Sequence, residues 1–327
     1  MATHALLQDE RAGLNERRKS FSVATVTVTY NGARVIERHL EALKRQSYKV
    51  DEIIVVNNAS TDGLPQLLAT KFPEITVVNL PENRGVGGAL SAGIEYAAGT
   101  KKYDWVWLFD DDSIPGDDTL ELLLAGLHQF NGDAGRLAIL APVCQDEATK
   151  MSFPGLMWQR GRIVKAPIKS DQSVTLVDLV VSSGTLIRRE AIEAVGLPRA
   201  DFFMDFVDFE HCLRLRQRGF RIGMVRDSHL NHAVGEPTTF KILGRTIHWT
   251  DHAPWRRYYI TRNEVFTIWR HYGSWRARAF FFGRFAWITL CLFLFGKQKL
   301  ACFRMMYRGF LDGRSGRLGM RVSNGSC

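Results

Sequence analysis

Cysteine is scarce in this chain and does not pair off. The five present (Cys144, Cys212, Cys291, Cys302 and Cys327) are an odd number with no CxxC spacing. That pattern excludes a disulfide framework and a structural zinc site, and it fits a reducing compartment. The first 20 residues lack the apolar core of a signal peptide. They are polar and charged, with Arg11, Arg17, Arg18 and Lys19, and residues 1–20 read as a mobile arm. No low-complexity tract or internal repeat is visible, so arrays and solenoids are set aside. The longest apolar run, Phe285 to Gly296, falls short of the ~20 residues that cross a bilayer and is bounded by Arg284 and Lys297. Nucleic-acid motifs are absent, and the aromatic residues form blocks rather than alternating platforms, so no nucleic-acid partner is expected. What remains is a basic balance, 43 Lys and Arg against 34 Asp and Glu, net +9. It favours an anionic partner, either a diphosphate substrate or an anionic membrane surface.

The first half alternates two periodicities. Val23 to Thr29, Ile53 to Val56, Ile75 to Val78 and Trp105 to Phe109 are short, β-branched or aromatic runs. Between them lie helical patterns: Val35, Ile36, Leu40 and Leu43 on one face, then Leu64 to Lys71, then Val86 to Ala98. Strands alternating with helices imply an α/β fold, a mostly parallel sheet covered on both faces. Ligands of such sheets bind beyond the carboxyl ends of the strands. Those ends read Thr29-Tyr30-Asn31-Gly32, Asn57-Asn58-Ala59-Ser60-Thr61-Asp62, Asn83-Arg84-Gly85-Val86-Gly87-Gly88 and Asp110-Asp111-Asp112-Ser113. All are small, polar or acidic. The glycine cluster is not a dinucleotide fingerprint, because the last required glycine is Leu90 and the segment follows the third strand rather than the first.

Three adjacent carboxylates at the end of a buried strand repel one another. A hard divalent cation relieves this, since Mg²⁺ or Mn²⁺ takes oxygen ligands and bridges to phosphate. In extended backbone Asp110 and Asp112 point to the same side and share one ion. With this cluster the pattern becomes specific. Thr29-Tyr30-Asn31, Asn58-Ala59-Ser60-Thr61-Asp62, Asn83-Arg84-Gly85 and Asp110-Asp111-Asp112 resemble, in order and spacing, the family 2 glycosyltransferases of GT-A fold over about residues 22–263. The resemblance implies that the first two strand ends hold the base and ribose of a nucleotide-sugar. Asn83, Arg84 and Gly85 then lie beside the nucleotide, and Asp110, Asp111 and Asp112 serve metal and diphosphate. One departure is Asn57, where the family often has an acid; Asp51 and Glu52 lie too far back to replace it.

Further along, Met204-Asp205-Phe206-Val207-Asp208-Phe209-Glu210 precedes a helix bearing Leu213 and Leu215. Acids in a first helical turn complement the macrodipole, but an inverting sugar transfer also needs a carboxylate to take the acceptor proton. The stretch resembles the family's acidic motif, which implies Asp208 as base and Glu210 as helper, with Asp205 the alternative base. By the same resemblance His232, or else His229, completes the metal site, and Ser183-Gly184-Thr185 belongs to the acceptor loop. Arg257, Tyr259 and Arg262 would meet the diphosphate or the acceptor, for which arginine's forked donors suit phosphate. The run from Phe202 to Arg214 resembles bacterial rhamnosyltransferases, and the stretch Asp104 to Asp112, with Ala141-Pro142-Val143-Cys144, resembles galactofuranosyltransferases. Together they imply dTDP-rhamnose or UDP-galactofuranose as donor and a lipid-linked or glycan acceptor in surface polysaccharide synthesis.

The expected organisation is a mobile arm (1–20), a GT-A catalytic domain (21–250) and a basic, aromatic helical region (251–327). That last region is expected to lie in the interface of the cytoplasmic face of the cell membrane as a helix or hairpin, without crossing it. An oligomer is left open. A sugar-phosphate nucleotidyltransferase and a non-catalytic membrane scaffold are the competing readings. The first would need a basic phosphate loop after strand one, where Asn31-Gly32-Ala33-Arg34 stands.

Overall fold

Seven consecutive β-branched or small residues, all buried, make Val23–Thr29 a strand (β1) at the centre of the sheet. The computed structural model describes residues 21–145, 152–153, 155–159, 162–167, 172–231, 238–242 and 245–322; the N-terminal arm and His232 lie outside them. After β1 come α1 (Ile36–Lys44), β2 (Glu52–Asn57), α2 (Leu64–Lys71), β3 (Thr76–Asn79), α3 (Gly85–Ile94, continued as a π-turn to Thr100) and β4 (Trp105–Asp110). These four strands are parallel, in the order β4-β1-β2-β3.

The second half joins the same sheet in mixed sense, apart from one hairpin that forms a separate two-stranded sheet. Its elements are β5 (Ile114–Pro115), α4 (Thr119–Gln129), β6 (Leu137–Gln145), β7 (Ser152–Phe153), the hairpin β8 (Leu156–Gln159) and β9 (Arg162–Lys165), β10 (Val174–Val177), β11 (Leu186–Arg188), α5 (Arg189–Val195), α6 (Val207–Gln217) and β12 (Arg221–Asn231). The sheet runs β10-β12-β6-β11-β4-β1-β2-β3, and β11 is antiparallel to both β4 and β6. The expectation of a mostly parallel sheet thus describes its first half, and the whole is mixed. Two apolar cores cover its faces, one built around Val26, Val56, Val106 and Ile187, the other around Leu40, Trp105, Trp107 and Leu186.

A hairpin, β13 (Thr238–Ile242) and β14 (Arg245–Trp249), leads into α7 (Pro254–Thr267), α8 (Trp275–Phe295) and α9 (Lys299–Ser315). Helix α8 is longer than the apolar run suggested. Ser274 caps it by accepting from the Ala277 N–H at 3.3 Å, so it starts ten residues before Phe285 and carries Arg276, Arg278 and Arg284. At 21 residues it is about 31 Å long and passes the length and hydropathy test for a spanning helix, with little of its apolar window buried. The expectation of a segment too short to cross is corrected on this point.

Candidate active site

The four strand ends are stitched together by their own side chains. The Asn31 N–H donates to Ser60 Oγ (2.9 Å), the Thr61 N–H to Asn31 Oδ1 (2.8 Å), and the Ala33 N–H to Asp62 Oδ2 (2.9 Å). Asn58 Nδ2 donates to Asn83 Oδ1 (3.0 Å), while its Oδ1 accepts from the Arg84 N–H (2.8 Å). Asn57, which stands where an acid was expected, donates to Asn79 Oδ1 (2.8 Å) and accepts from the Ser60 N–H (3.0 Å). These residues therefore shape a shelf, and Tyr30 and Arg84 stand exposed at its rim.

The acidic cluster is arranged differently from expectation. Strand β4 stops at Asp110, and Asp111 and Asp112 form a turn, so strand alternation does not put Asp110 and Asp112 on one side. Asp111 turns inward and accepts from Thr29 Oγ1 at 2.5 Å. Burial, with Asp112 and Asp110 alongside, pushes its carboxyl up to about 6. The space it occupies exists because residue 32 is glycine: a Cβ there would fall 1.9 Å from Asp111 Oδ2 and 2.4 Å from Thr29 Oγ1. A Gly32→Ala variant is expected to expel Asp111 and to weaken nucleoside-diphosphate binding at least tenfold by calorimetric titration, while far-ultraviolet circular dichroism stays unchanged.

Behind this turn, Ser183 Oγ accepts from the Asp110 N–H (3.2 Å) and bonds Ser113 Oγ (2.7 Å). The Gly184 N–H donates to the Leu108 carbonyl, and Thr185 Oγ1 to that of Ser182 (2.6 Å). Ser183 and Thr185 are buried. The Ser183 hydroxyl braces the acidic turn and that of Thr185 closes its own loop, while Ser182 and Thr185 border a small hollow with Asp208. Below the turn a buried histidine was missed. His39 bonds the Ser113 carbonyl through Nδ1 (2.5 Å) and Thr27 Oγ1 through Nε2 (2.8 Å). Burial lowers it to about 4, so it is a neutral brace.

Asp208 stands in the first turn of α6. Burial, with Asp205 and Asp110 nearby, pushes its carboxyl up to about 7, although the Phe209 N–H donates to it at 2.8 Å. Asp208 and Asp110, almost a hundred residues apart in sequence, thus feel one another across the cleft. Asp205 instead pairs with Arg256 (3.2 Å). Glu210 does not reach the cleft. It is buried against Arg214 (2.9 Å) and His271 (3.1 Å). Burial works against its charge, but those two partners hold it below the usual carboxylate range. The helper role expected for Glu210 is corrected to an anchor of α6.

The loop that delivers Asp208 is strained. Phe203, Asp205 and Phe206 have φ of 64°, 57° and 63°, which non-glycine residues rarely adopt. Of the residues expected to meet the acceptor, Arg262 holds this loop from behind through hydrogen bonds and Tyr259 packs its ring on Phe203. Arg262 is fully buried. It donates to the Phe202 carbonyl (2.7 Å), the Asp201 carbonyl (3.2 Å) and the Gly319 carbonyl (2.6 Å). Tyr259 is equally buried and donates to the Val322 carbonyl (2.8 Å). Arg257 donates to the Thr250 carbonyl (2.8 Å) and lies over the Trp249 ring. An acceptor does not reach Tyr259 or Arg262. Both are structural, since a buried guanidinium is tolerated only where its donors are satisfied.

As for metal, Asp110 and Asp112 flank the inward-turned Asp111. Among the described residues no three His, Cys, Asp or Glu side chains converge as a metal cage. His229 is exposed on β12, and its carbonyl accepts from Thr119 Oγ1. Two carboxylates suit a hard ion that completes its shell with water and phosphate oxygens.

Comparison with known proteins gives the family and the fold. The family model for glycosyl transferase family 2 matches residues 25–196, from β1 through α5. The chain belongs to that family. It is a glycosyltransferase, and the nucleotidyltransferase reading is set aside. It is 29% identical over 237 residues to galactofuranosyltransferase GlfT1 of Mycolicibacterium smegmatis, covering 69% of this chain and 76% of the relative. It is 29% identical over 244 residues to dTDP-rhamnosyl transferase RfbF of Shigella flexneri, covering 74% and 78%. The fold is shared with S. aureus TarS 1–349 in complex with UDP-GlcNAc (TM-score 0.57, 16% identity, 89% of this chain and 81% of that one). It is also shared with GalNAc-T7 bound to UDP, GalNAc and Mn²⁺ (TM-score 0.57, 14% identity, 77% of this chain, 48% of that longer one).

Proposed function

We propose that this glycosyltransferase moves a rhamnosyl or galactofuranosyl unit from its nucleotide-sugar, dTDP-rhamnose or UDP-galactofuranose, to an acceptor hydroxyl with inversion at the anomeric carbon. The carrying observation is the pair formed by Asp208 and Asp110. A carboxyl raised to about 7 beside the acidic turn is matched to the work of a general base near neutral pH. Asp208 takes the proton of the acceptor hydroxyl as that oxygen attacks, and one displacement from the opposite face inverts the centre. Exposed Tyr30 is placed to stack on the base, while the shelf of Asn31, Asn58, Ser60, Asp62, Asn83 and Arg84 shapes the seat of the nucleoside. Asp110 and Asp112 would hold Mg²⁺ or Mn²⁺, whose charge offsets that of the departing diphosphate. The names of the two relatives support both donors.

Purified protein offered UDP-, dTDP- and GDP-sugars with Mn²⁺ or Mg²⁺ tests this reading. Release of one nucleoside diphosphate, abolished by EDTA and in Asp112→Ala, is the expected result. Equal release with EDTA would remove the metal from the mechanism.

The acceptor proposed is a lipid-linked glycan at the cytoplasmic face of the membrane. Helix α8 turns Phe282, Trp287, Leu290, Phe293 and Leu294 outward, and Arg276, Arg278, Arg304, Arg308 and Arg314 are exposed on α8 and α9. An apolar face among arginines suits the interface of an anionic bilayer. The double variant Trp287→Glu, Leu290→Glu should lower partition onto phosphatidylglycerol vesicles at least tenfold in a flotation assay. Nucleotide binding should not change.

A further inference from the structure

The loop carrying Asp208 is held in its strained path by side chains of α7. Asn263, buried on α7, points its single amide nitrogen at three main-chain carbonyls: Phe202 (3.0 Å), Met204 (2.7 Å) and Asp205 (2.9 Å). Its own oxygen accepts from Arg262 Nε (2.8 Å), so the amide orientation is fixed from the other side. These three carbonyls bracket the left-handed residues Phe203 and Asp205, two residues before α6 begins. From the exposed side of the same helix, Arg256 grips the Asp205 carboxylate through Nε (3.3 Å) and Nη2 (3.2 Å). The loop also touches the nucleotide side of the site, because the Gly87 N–H donates to the Phe203 carbonyl (3.0 Å) and a Cβ at Gly85 would fall 2.1 Å from that oxygen.

A strained loop persists only where its surroundings over-determine it, and a base misplaced by about 1 Å costs on the order of 10²-fold in rate. The geometry points to Asn263 and Arg256 as positioning residues for catalysis: they set where Asp208 meets the acceptor hydroxyl. This rests on Asp208 being the base. Arg262 carries the fold of the region, whereas Asn263 and Arg256 fix the coordinates of its last turn.

The test compares Asn263→Ala, Arg256→Gln and Asp208→Asn with the wild-type full-length chain. It reads kcat, the donor KM, and the stoichiometry of nucleoside-diphosphate binding by calorimetry. The expected result for Asn263→Ala is a fall of about 100-fold in kcat with the donor KM within twofold and binding stoichiometry near one. Arg256→Gln, on the exposed rim, should lose about tenfold in kcat with the same split. A kcat that falls only in step with binding stoichiometry marks a purely structural residue and overturns the proposal for Asn263. Should Asn263→Ala fail to fold, Arg256→Gln decides alone: unchanged kcat overturns the proposal. Asp208→Asn separates the two levels. If it retains full activity, the reading of the base fails; if it is inactive while both other variants match wild type, only the positioning role fails.

Discussion

Asp208→Asn is expected to lose on the order of 10³-fold in transfer rate and, at pH 8, to unfold at a higher temperature than the wild type. The first effect follows from removing a general base, a group worth 10²–10⁴-fold. The second follows from linkage. The Asp208 carboxyl titrates near 7 in the folded chain, against about 4 for an ordinary aspartate. Between those values the folded state holds a proton that the unfolded state has released. Raising the pH therefore weakens the fold through this group: nothing is lost below about pH 4, and the full cost is present above about pH 7. An amide escapes that cost. Asp208 is half-buried and partly hydrated, so about 2 kcal/mol, or a few degrees in Tm, is the scale expected. Calorimetric scans of both proteins at pH 4 and pH 8 check this. A gain at pH 8 that vanishes at pH 4 supports the assignment, and equal Tm values at both pH values contradict it. Activity has the opposite sign, because the base works deprotonated. The wild-type kcat/KM should rise tenfold per pH unit up to about 7 and level off above it.

Replacement of Arg262 by lysine should be among the most damaging single changes in the chain. The guanidinium is wholly buried, lies over the rings of Tyr258 and Tyr259, and donates in four directions: to Asn263 Oδ1 and to the carbonyls of Asp201, Phe202 and Gly319. A lysine ammonium cannot reproduce a planar fork and leaves carbonyls unpaired in a dry setting. A loss of at least about 3 kcal/mol is expected, comparable to breaking other buried charged networks. Urea titration followed by tryptophan fluorescence measures it. A loss below about 1 kcal/mol would show that the C-terminal segment holds the loop by other contacts.

Much of the first half of the site was legible because it is local. A strand with a buried end followed at once by polar residues repeats three times, at β1, β2 and β4, and each strand end lies where an α/β sheet places ligand contacts. The acidic cluster was found by the same logic, and Asp208 by the resemblance of its stretch to the family's acidic motif. What escaped needed the third dimension. That Asp111 turns inward depends on the Cβ that Gly32 lacks, across about 80 residues of chain. The sequence shows acids near the start of α6, but not that His271, in a helix far downstream, withdraws Glu210 from the cleft. Arg262 was expected at the diphosphate or the acceptor, because arginine is chosen for phosphate and for carbonyl clusters alike. Only burial separates these uses. The length of α8 was underread because an apolar run was measured, although Ser274 offered a capping signal.

The central claim is that Asp208 takes the proton in a sugar transfer from a nucleotide donor. Its most direct test is turnover of dTDP-rhamnose and UDP-galactofuranose, with a membrane extract as acceptor, by wild-type and Asp208→Asn protein whose nucleotide binding has been matched by calorimetry. The account predicts that the wild type consumes one of the two donors and leaves a product of inverted anomeric configuration, while the variant binds equally and turns over on the order of 10³-fold more slowly. A variant as fast as the wild type, or a product of retained configuration, would contradict it.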